Sequence, residues 1–211
     1  MKERTVLARA EELVLCFGNF SSYNKATGMI LVNKKEIIRE KYNITSEDYD
    51  KLYSEEQVEK YMVAIRKIKV HNKVLDNGCG TALFIEFLNI LGKIHRISYY
   101  ICLDLSIGML KKAKSRIKKL NLDLLSELVE ADAENIPLRY KSVDVTVSFT
   151  VVNLLEDKTK GIREIERVTK SCATLSVLKV SENHSTHVLR YGTYIGETSK
   201  DKLFVKCYDK K

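Results

Sequence analysis

The feature that most constrains this chain is a rhythm that begins at residue 73, where short β-rich runs alternate with helical stripes. Lys73-Val74-Leu75 ends at Asp76, and residues 81–94 follow with Phe84, Phe87, Leu88 and Leu91 on one stripe. Residues 97–103 form a second run, 106–120 a basic amphipathic stripe, and Leu128-Val129 a third run leading to Asp132. Residues 143–149 make a fourth, 157–169 a helix with Ile162, Ile165 and Val168 inward, and 174–180 a fifth. Strands separated by helix-length connections require crossovers, which predicts a mostly parallel sheet with helices on both faces. The tail breaks the pattern. Residues 191–197 and 203–208 are β-rich but joined only by 198–202, too few for a crossover, so an antiparallel hairpin is expected.

The first 48 residues carry no motif of that kind and read as a helical N-terminal extension, with helices expected over 5–16 and 34–41 and none assigned over 17–33. Ser54-Glu55-Glu56-Gln57 matches a capping box and predicts a helix start, followed by an inward face of Val58, Tyr61, Met62, Ile65 and Ile68. The chain therefore divides into an extension, 1–48, serving as a lid or docking element, and a core over 49–211. The longest early apolar run, 13–20, is broken by Gly18 and Asn19, so no membrane association is expected; without signal-peptide architecture, a cytoplasmic location is. The cysteines, Cys16, Cys79, Cys102, Cys172 and Cys207, form no CxxC pair or metal-ligand cluster, which predicts reduced thiols and no metal. A net charge of +8 admits RNA as a partner. The densest basic cluster, Lys111, Lys112, Lys114, Arg116, Lys118 and Lys119, surrounds Leu110, Ile117 and Leu120 at helical spacing and reads as the wet face of a helix.

Chemistry concentrates where strands end. Asp76-Asn77-Gly78-Cys79-Gly80 lies at the first strand-to-helix turn, where glycine lets backbone approach a ligand closely. A dinucleotide fingerprint needs a third glycine where Leu83 stands, and no P-loop occurs. Asp76 beside the turn suits a ligand with a cationic part rather than a phosphate. Asp104 ends the second run at the distance where a carboxylate accepts from both ribose hydroxyls, leaving Ser106 to cap the helix that follows. Asp132 ends the third run and is placed to accept from an adenine amino group, with the Ala133 N–H on a ring nitrogen; a turn aspartate is the equally open alternative.

The strings VLDNGCGTALF, LDLSIGMLKKAK, EADAENIPL and VDVTVSFTVVNLLEDKTKGIREIERVTK resemble the class I S-adenosylmethionine-dependent methyltransferases of the small methyltransferase-domain type, over roughly residues 49–211. The resemblance implies a Rossmann-like, mostly parallel seven-stranded sheet ending in an antiparallel hairpin, with S-adenosyl-L-methionine as cofactor. By resemblance, Asp76, Gly78 and Gly80 hold the amino-acid end of the cofactor. Asp104 takes the ribose, Leu105 packs beside the adenine, Asp132 and Ala133 read its edge, and Phe149 borders the site. Tyr49 and Tyr53 match the tyrosine-bearing entry segment placed over the cofactor.

The sequence departs from the pattern at Ala82, where a third glycine is usual, at Asn77, where an apolar residue is commoner, and at Lys170-Ser171-Cys172-Ala173, which replaces Pro-Gly-Gly. Methyl transfer from a sulfonium demands alignment and dryness more than a fixed acid or base, so no catalytic residue is singled out. Tyr49, Tyr53, His184 and His187 are the candidates to assist. The [DN]PP[YF] motif of nucleobase-amine methylation is absent after the fourth run, where Ser148-Phe149-Thr150-Val151-Val152-Asn153 stands. A small molecule or a protein is thus the favoured acceptor, RNA is admitted, and the alternative is a binding module that has lost catalysis.

Overall fold

The computed structural model describes residues 21–24, 29–179 and 191–208. The expected helix over 5–16, Cys16, His184 and His187 lie outside them. A two-stranded antiparallel ribbon, β1 (Ser21–Asn24) and β2 (Met29–Val32), occupies the stretch to which the pattern assigned nothing. Two helices follow, α1 (Lys34–Thr45) and α2 (Tyr49–Ile65). Asn33 caps α1, its side chain accepting from the Lys35 N–H at 3.0 Å.

The core is one seven-stranded sheet built from β3 (Asn72–Asn77), β4 (Ile97–Asp104), β5 (Ser126–Glu130), β6 (Val143–Ser148), β7 (Thr169–Leu178), β8 (Thr193–Glu197) and β9 (Asp201–Cys207). Its order is β5-β4-β3-β6-β7-β9-β8, parallel from β5 through β7 and antiparallel for the last two. Connections run outward from β3 to β4 and β5, then return to place β6 on the other side of β3. That reversal opens a crevice at the carboxyl ends of the central strands. Val74, Leu75, Val145, Val147, Ala173 and Leu175 bury both faces of the middle of the sheet.

Helices α3 (Leu83–Ile90) and α4 (Ile107–Lys119) join α2 in one hydrophobic layer, where Tyr61 lies 4.9 Å from Phe84 and 5.0 Å from Phe149 between ring centroids. Helix α5 (Lys158–Val168) covers the other face through Ile162, Ile165 and Val168. Ser106 caps α4 as expected, accepting from the Met109 N–H at 3.1 Å. Val168 passes into β7 with no turn between, and the Thr169 hydroxyl donates back to the Ile165 carbonyl at 2.6 Å. A Pro-Gly-Gly turn has no place in that direct connection.

Several expectations are corrected. Helix α2 starts at Tyr49, ahead of the capping-box serine, where Tyr49 and Tyr53 pack one turn apart with tilted rings (4.9 Å) and Asp50 in the first turn is anchored by Arg116. Its buried face is Gln57, Lys60, Tyr61 and Ala64, whereas Val58 and Met62 are exposed. The expectation of reduced thiols fails for Cys172 and Cys207, which are register partners on β7 and β9 and form a disulfide. Cys79 and Cys102 are free and buried. In the basic cluster, Arg116 is not solvated: it pairs with Asp50, donates to the Thr81 carbonyl and reaches Glu86 at 2.9 Å, tying α2, α3 and α4 together. Lys112 pairs with Glu47. No helix among the described residues is long and apolar enough to cross a membrane.

Candidate functional site

A largely apolar cleft of about 280 Å³ opens where the sheet topology reverses. Its floor comes from the strand ends: Gly78 and Gly80 after β3, Asp104 and Leu105 at the end of β4, Asp132 and Ala133 after β5, Phe149 and Thr150 after β6. Its roof comes from α1 and α2, through Lys35, Ile38, Arg39 and Tyr42 and then Tyr49, Tyr53, Glu56 and Gln57. The structure therefore brings every expected cofactor-binding residue except Asp76 to one cleft.

The glycine loop is shaped by backbone needs. Gly78 has φ +77°, and a Cβ there would lie 2.1 Å from Val151 Cγ2. Gly78 and Cys79 donate their N–H groups to the Leu103 carbonyl at 2.7 and 2.9 Å, which fastens the loop to β4. Ala82, in place of the third glycine, keeps the left-handed conformation with φ +63° and is fully buried. Asn77 is buried too, with its amide nitrogen at a long 3.4 Å from Ser148 Oγ.

Asp76 sits behind the loop rather than on the cleft wall. It accepts from the Tyr100 hydroxyl at 2.6 Å, and burial, with a smaller push from Asp104, raises its carboxyl to about 7 against the pull of the Tyr100 bond. Asp104 faces the cleft and accepts from the Gly80 N–H at 2.8 Å and the Ser106 N–H at 2.9 Å. Burial raises its carboxyl, partly offset by these bonds. Asp132 accepts from the Glu134 N–H at 2.8 Å and from Lys35 Nζ at 2.7 Å. Burial works against its charge, but Lys35 outweighs it and holds Asp132 below its ordinary value.

Lys35 was not legible as a site residue. It reaches from the first turn of α1 across the cleft to Asp132 and to Glu134 at 3.0 Å. At the other end of α1, Asn43 Oδ1 accepts from the Ser106 hydroxyl at 2.7 Å and the Gly108 N–H at 2.9 Å. Contact there is so close that a Cβ on Gly108 would lie 2.9 Å from Asn43 Cα. The roof is thus fastened at both ends.

The opposite end of the cleft holds a second unforeseen group. Lys60 is fully buried, with Nζ 2.8 Å from Glu56 Oε1, 2.6 Å from Thr150 Oγ1 and 3.1 Å from Asp201 Oδ2. Glu56 also accepts from Lys200 at 2.8 Å; burial opposes its charge, but the two lysines hold its carboxyl low. Asp201 is fully buried and accepts from Ser176 Oγ at 3.0 Å. Thr150 carries φ +64°, rare for a β-branched residue, and its N–H donates to Ser176 Oγ at 2.8 Å. No cluster of metal-ligating side chains occurs among the described residues. Of the basic residues of α4, Lys111, Lys114, Lys118 and Lys119 remain exposed.

Comparison with known proteins agrees with this fold. Residues 75–177 match the methyltransferase domain family. An uncharacterized protein of Methanocaldococcus jannaschii is 32% identical over 136 residues, covering 63% of this chain and 47% of its own. The ubiquinone/menaquinone biosynthesis C-methyltransferase of Stenotrophomonas maltophilia is 33% identical over 128 residues, 58% of this chain and 48% of its own. The chain spans about half the length of the curated relatives it matches. Among solved structures, magnesium protoporphyrin IX methyltransferase of Synechocystis PCC 6803 with bound S-adenosylmethionine superposes with a TM-score of 0.64 at 14% identity, covering 85% of this chain and 99% of that one.

Proposed function

We propose that this chain, whose residues 75–177 match the methyltransferase domain family, transfers a methyl group from S-adenosylmethionine to an acceptor docked at the Thr150 end of the cleft. One observation carries the reading: Gly78, Gly80, Asp104 and Asp132, from three separate strand ends, converge on a single crevice at the reversal of the sheet.

The residues present fit the cofactor. The loop at Gly78 and Gly80 offers bare backbone to the amino-acid end, and Tyr49 covers it, its ring 3.8 Å from the place a Gly80 Cβ would occupy. Asp104 is held by two backbone N–H groups yet still lines the cleft, where its remaining lone pairs suit a pair of ribose hydroxyls. Leu105 and Ala133 provide an apolar slot, and Asp132 an acceptor at its edge; an adenine amino group must share that carboxylate with Lys35. Asp76 acts from behind, braced against the Tyr100 hydroxyl beneath the loop.

The bound sulfonium supplies an activated methyl group. What remains for the protein is alignment and dryness. The roof of α1 and α2 and the Tyr49–Tyr53 pair exclude water, while Phe149 and Thr150 border the acceptor side. We take the acceptor to be a small molecule or a protein side chain. RNA remains an outcome to test, since ion pairing leaves the basic face of α4 smaller than its sequence implies.

The test is calorimetric titration of the purified chain with S-adenosylmethionine and S-adenosylhomocysteine, with NAD as control. Binding of the first two alone is expected, and Asp104→Ala should weaken it about tenfold or more, since it removes a buried charged acceptor. A folded wild-type protein, free of co-purified ligand, that binds neither would overturn the reading.

A further inference from the structure

The Thr150 end of the cleft is built unlike the rest. An ammonium and a carboxylate, Lys60 and Asp201, are both fully buried there, an arrangement that apolar residues of similar volume commonly match in stability. What the ion pair supplies is orientation. Lys60 donates to Thr150 Oγ1 at 2.6 Å and so occupies a lone pair of that hydroxyl. The Thr150 proton is left to point elsewhere. Its only acceptor among the described residues, Asp201 Oδ1, is 3.4 Å away, beyond the 2.5–3.0 Å usual for O–H···O bonds. Asp201 Oδ1 is also engaged, at 3.0 Å, by Ser176. The hydroxyl of this cleft-lining residue has its acceptor side filled by a cation and its proton on a long partner only, which makes it a donor awaiting a better acceptor. Its backbone, at φ +64° and fastened by the Thr150 N–H to Ser176, holds that donor in place.

We propose that Thr150 is the anchoring donor of the methyl-acceptor subsite, that Lys60 is the positioning residue that sets its direction, and that the acceptor is an oxygen-bearing molecule docking a carbonyl, carboxylate or phenolate oxygen on the Thr150 hydroxyl. This rests on the methyltransferase reading of the cleft. An amine that presents only N–H donors finds no matching partner in Thr150. Lys60 and Lys200 are ion-paired here with Asp201 and Glu56, so the donor direction of the Thr150 hydroxyl rather than a net positive field selects an oxygen, and the apolar wall of Phe149, Val151 and Leu178 suits the carbon skeleton behind it.

The probe is 4-nitrophenol, whose phenolate absorbs visible light while the phenol does not, titrated against protein saturated with S-adenosylhomocysteine and against protein alone. Wild-type protein should bind the probe and ionise it at lower pH than free solution. Thr150→Val should weaken probe binding about tenfold, as loss of a buried donor does, and return its ionisation to the free value; Thr150→Ser should restore both. Lys60→Met should lose the shift in ionisation even where probe binding survives, which a merely structural lysine would not produce. Should Lys60→Met fail to fold, the valine and serine variants decide the matter. Probe binding and ionisation unchanged in Thr150→Val, or no uptake by the loaded wild-type protein, would overturn the proposal. Failure of wild-type protein to bind S-adenosylhomocysteine is a separate result that overturns the methyltransferase reading instead.

Discussion

The two ends of the cleft are made by opposite means. At the cofactor end the working groups come from strand ends, and backbone holds most of them: Gly80 and Ser106 grip Asp104, the Leu103 carbonyl grips the glycine loop, and Asp132 alone adds an ion pair, to Lys35. At the Thr150 end they come from α2, the segment after β6, β7 and the β8–β9 turn, and a buried ion network holds them. Backbone geometry is a property of the fold and tolerates changes in distant side chains. An ion network is a property of particular side chains and fails when one is lost. The first end is suited to a ligand common to many proteins, the second to one that differs between them.

The sharpest way to break this comparison is to cut the network. Lys60→Ala strands Asp201 as a buried, uncompensated charge and should cost about 3–5 kcal/mol in chemical denaturation. Replacing Lys60 by Met and Asp201 by Leu together should recover most of that loss, because the burial penalty of both ions disappears. Additive losses in the double variant would mean that the two side chains do not act as a pair.

A smaller effect probes the cofactor end. The Asp76 carboxyl, raised to about 7 in the fold, keeps its proton after the unfolded chain has released its own. Stability from this group therefore falls as pH rises from about 4 to about 7 and stays at the lower level above that. Asp76→Asn, which still accepts from Tyr100, should flatten that slope and stabilise the chain at pH 8 by roughly 2–4 kcal/mol. A slope that persists in the variant would assign the titration to another group.

The smallest change expected is at the loop. Ala82 adopts a left-handed conformation that glycine adopts without strain, so Ala82→Gly should stabilise the chain by roughly 0.5–1 kcal/mol. A loss of stability instead would show that the buried Ala82 methyl contributes more through packing than its backbone costs.

What could be read in the sequence follows the same division. The parallel strands, the closing hairpin and the strand-end residues Gly78, Gly80, Asp104 and Asp132 were legible because hydrophobic period and turn chemistry are local. The Thr150 end was not. Lys60 and Gln57 occupy the buried face of α2, yet a lysine in an amphipathic stretch reads as surface, so of the expected stripe of Val58, Tyr61, Met62, Ile65 and Ile68, Tyr61 and Ile68 are buried while Val58 and Met62 are exposed. Asp201 reads as a turn residue between two strands, and nothing near it in the chain announces a lysine 141 positions earlier (201 − 60). The Cys172–Cys207 bond was hidden for a related reason, since only the antiparallel register of β7 and β9 makes those cysteines opposite. Arg116 reads as solvated in the sequence because its three partners lie on other helices or a loop.

The contact between Gly108 and Asn43 carries one more consequence. With Asn43 Cα 2.9 Å from where a Cβ would sit, a single hydrogen atom on Gly108 is what admits α1 to its place above the cleft. Position 108 is therefore a one-letter diagnostic for roof architecture. A related chain that aligns through the strand ends but carries any side chain there must seat its N-terminal helix elsewhere or at another height. Sorting such chains by that letter divides those built with this roof from those that cover the same floor by a different arrangement.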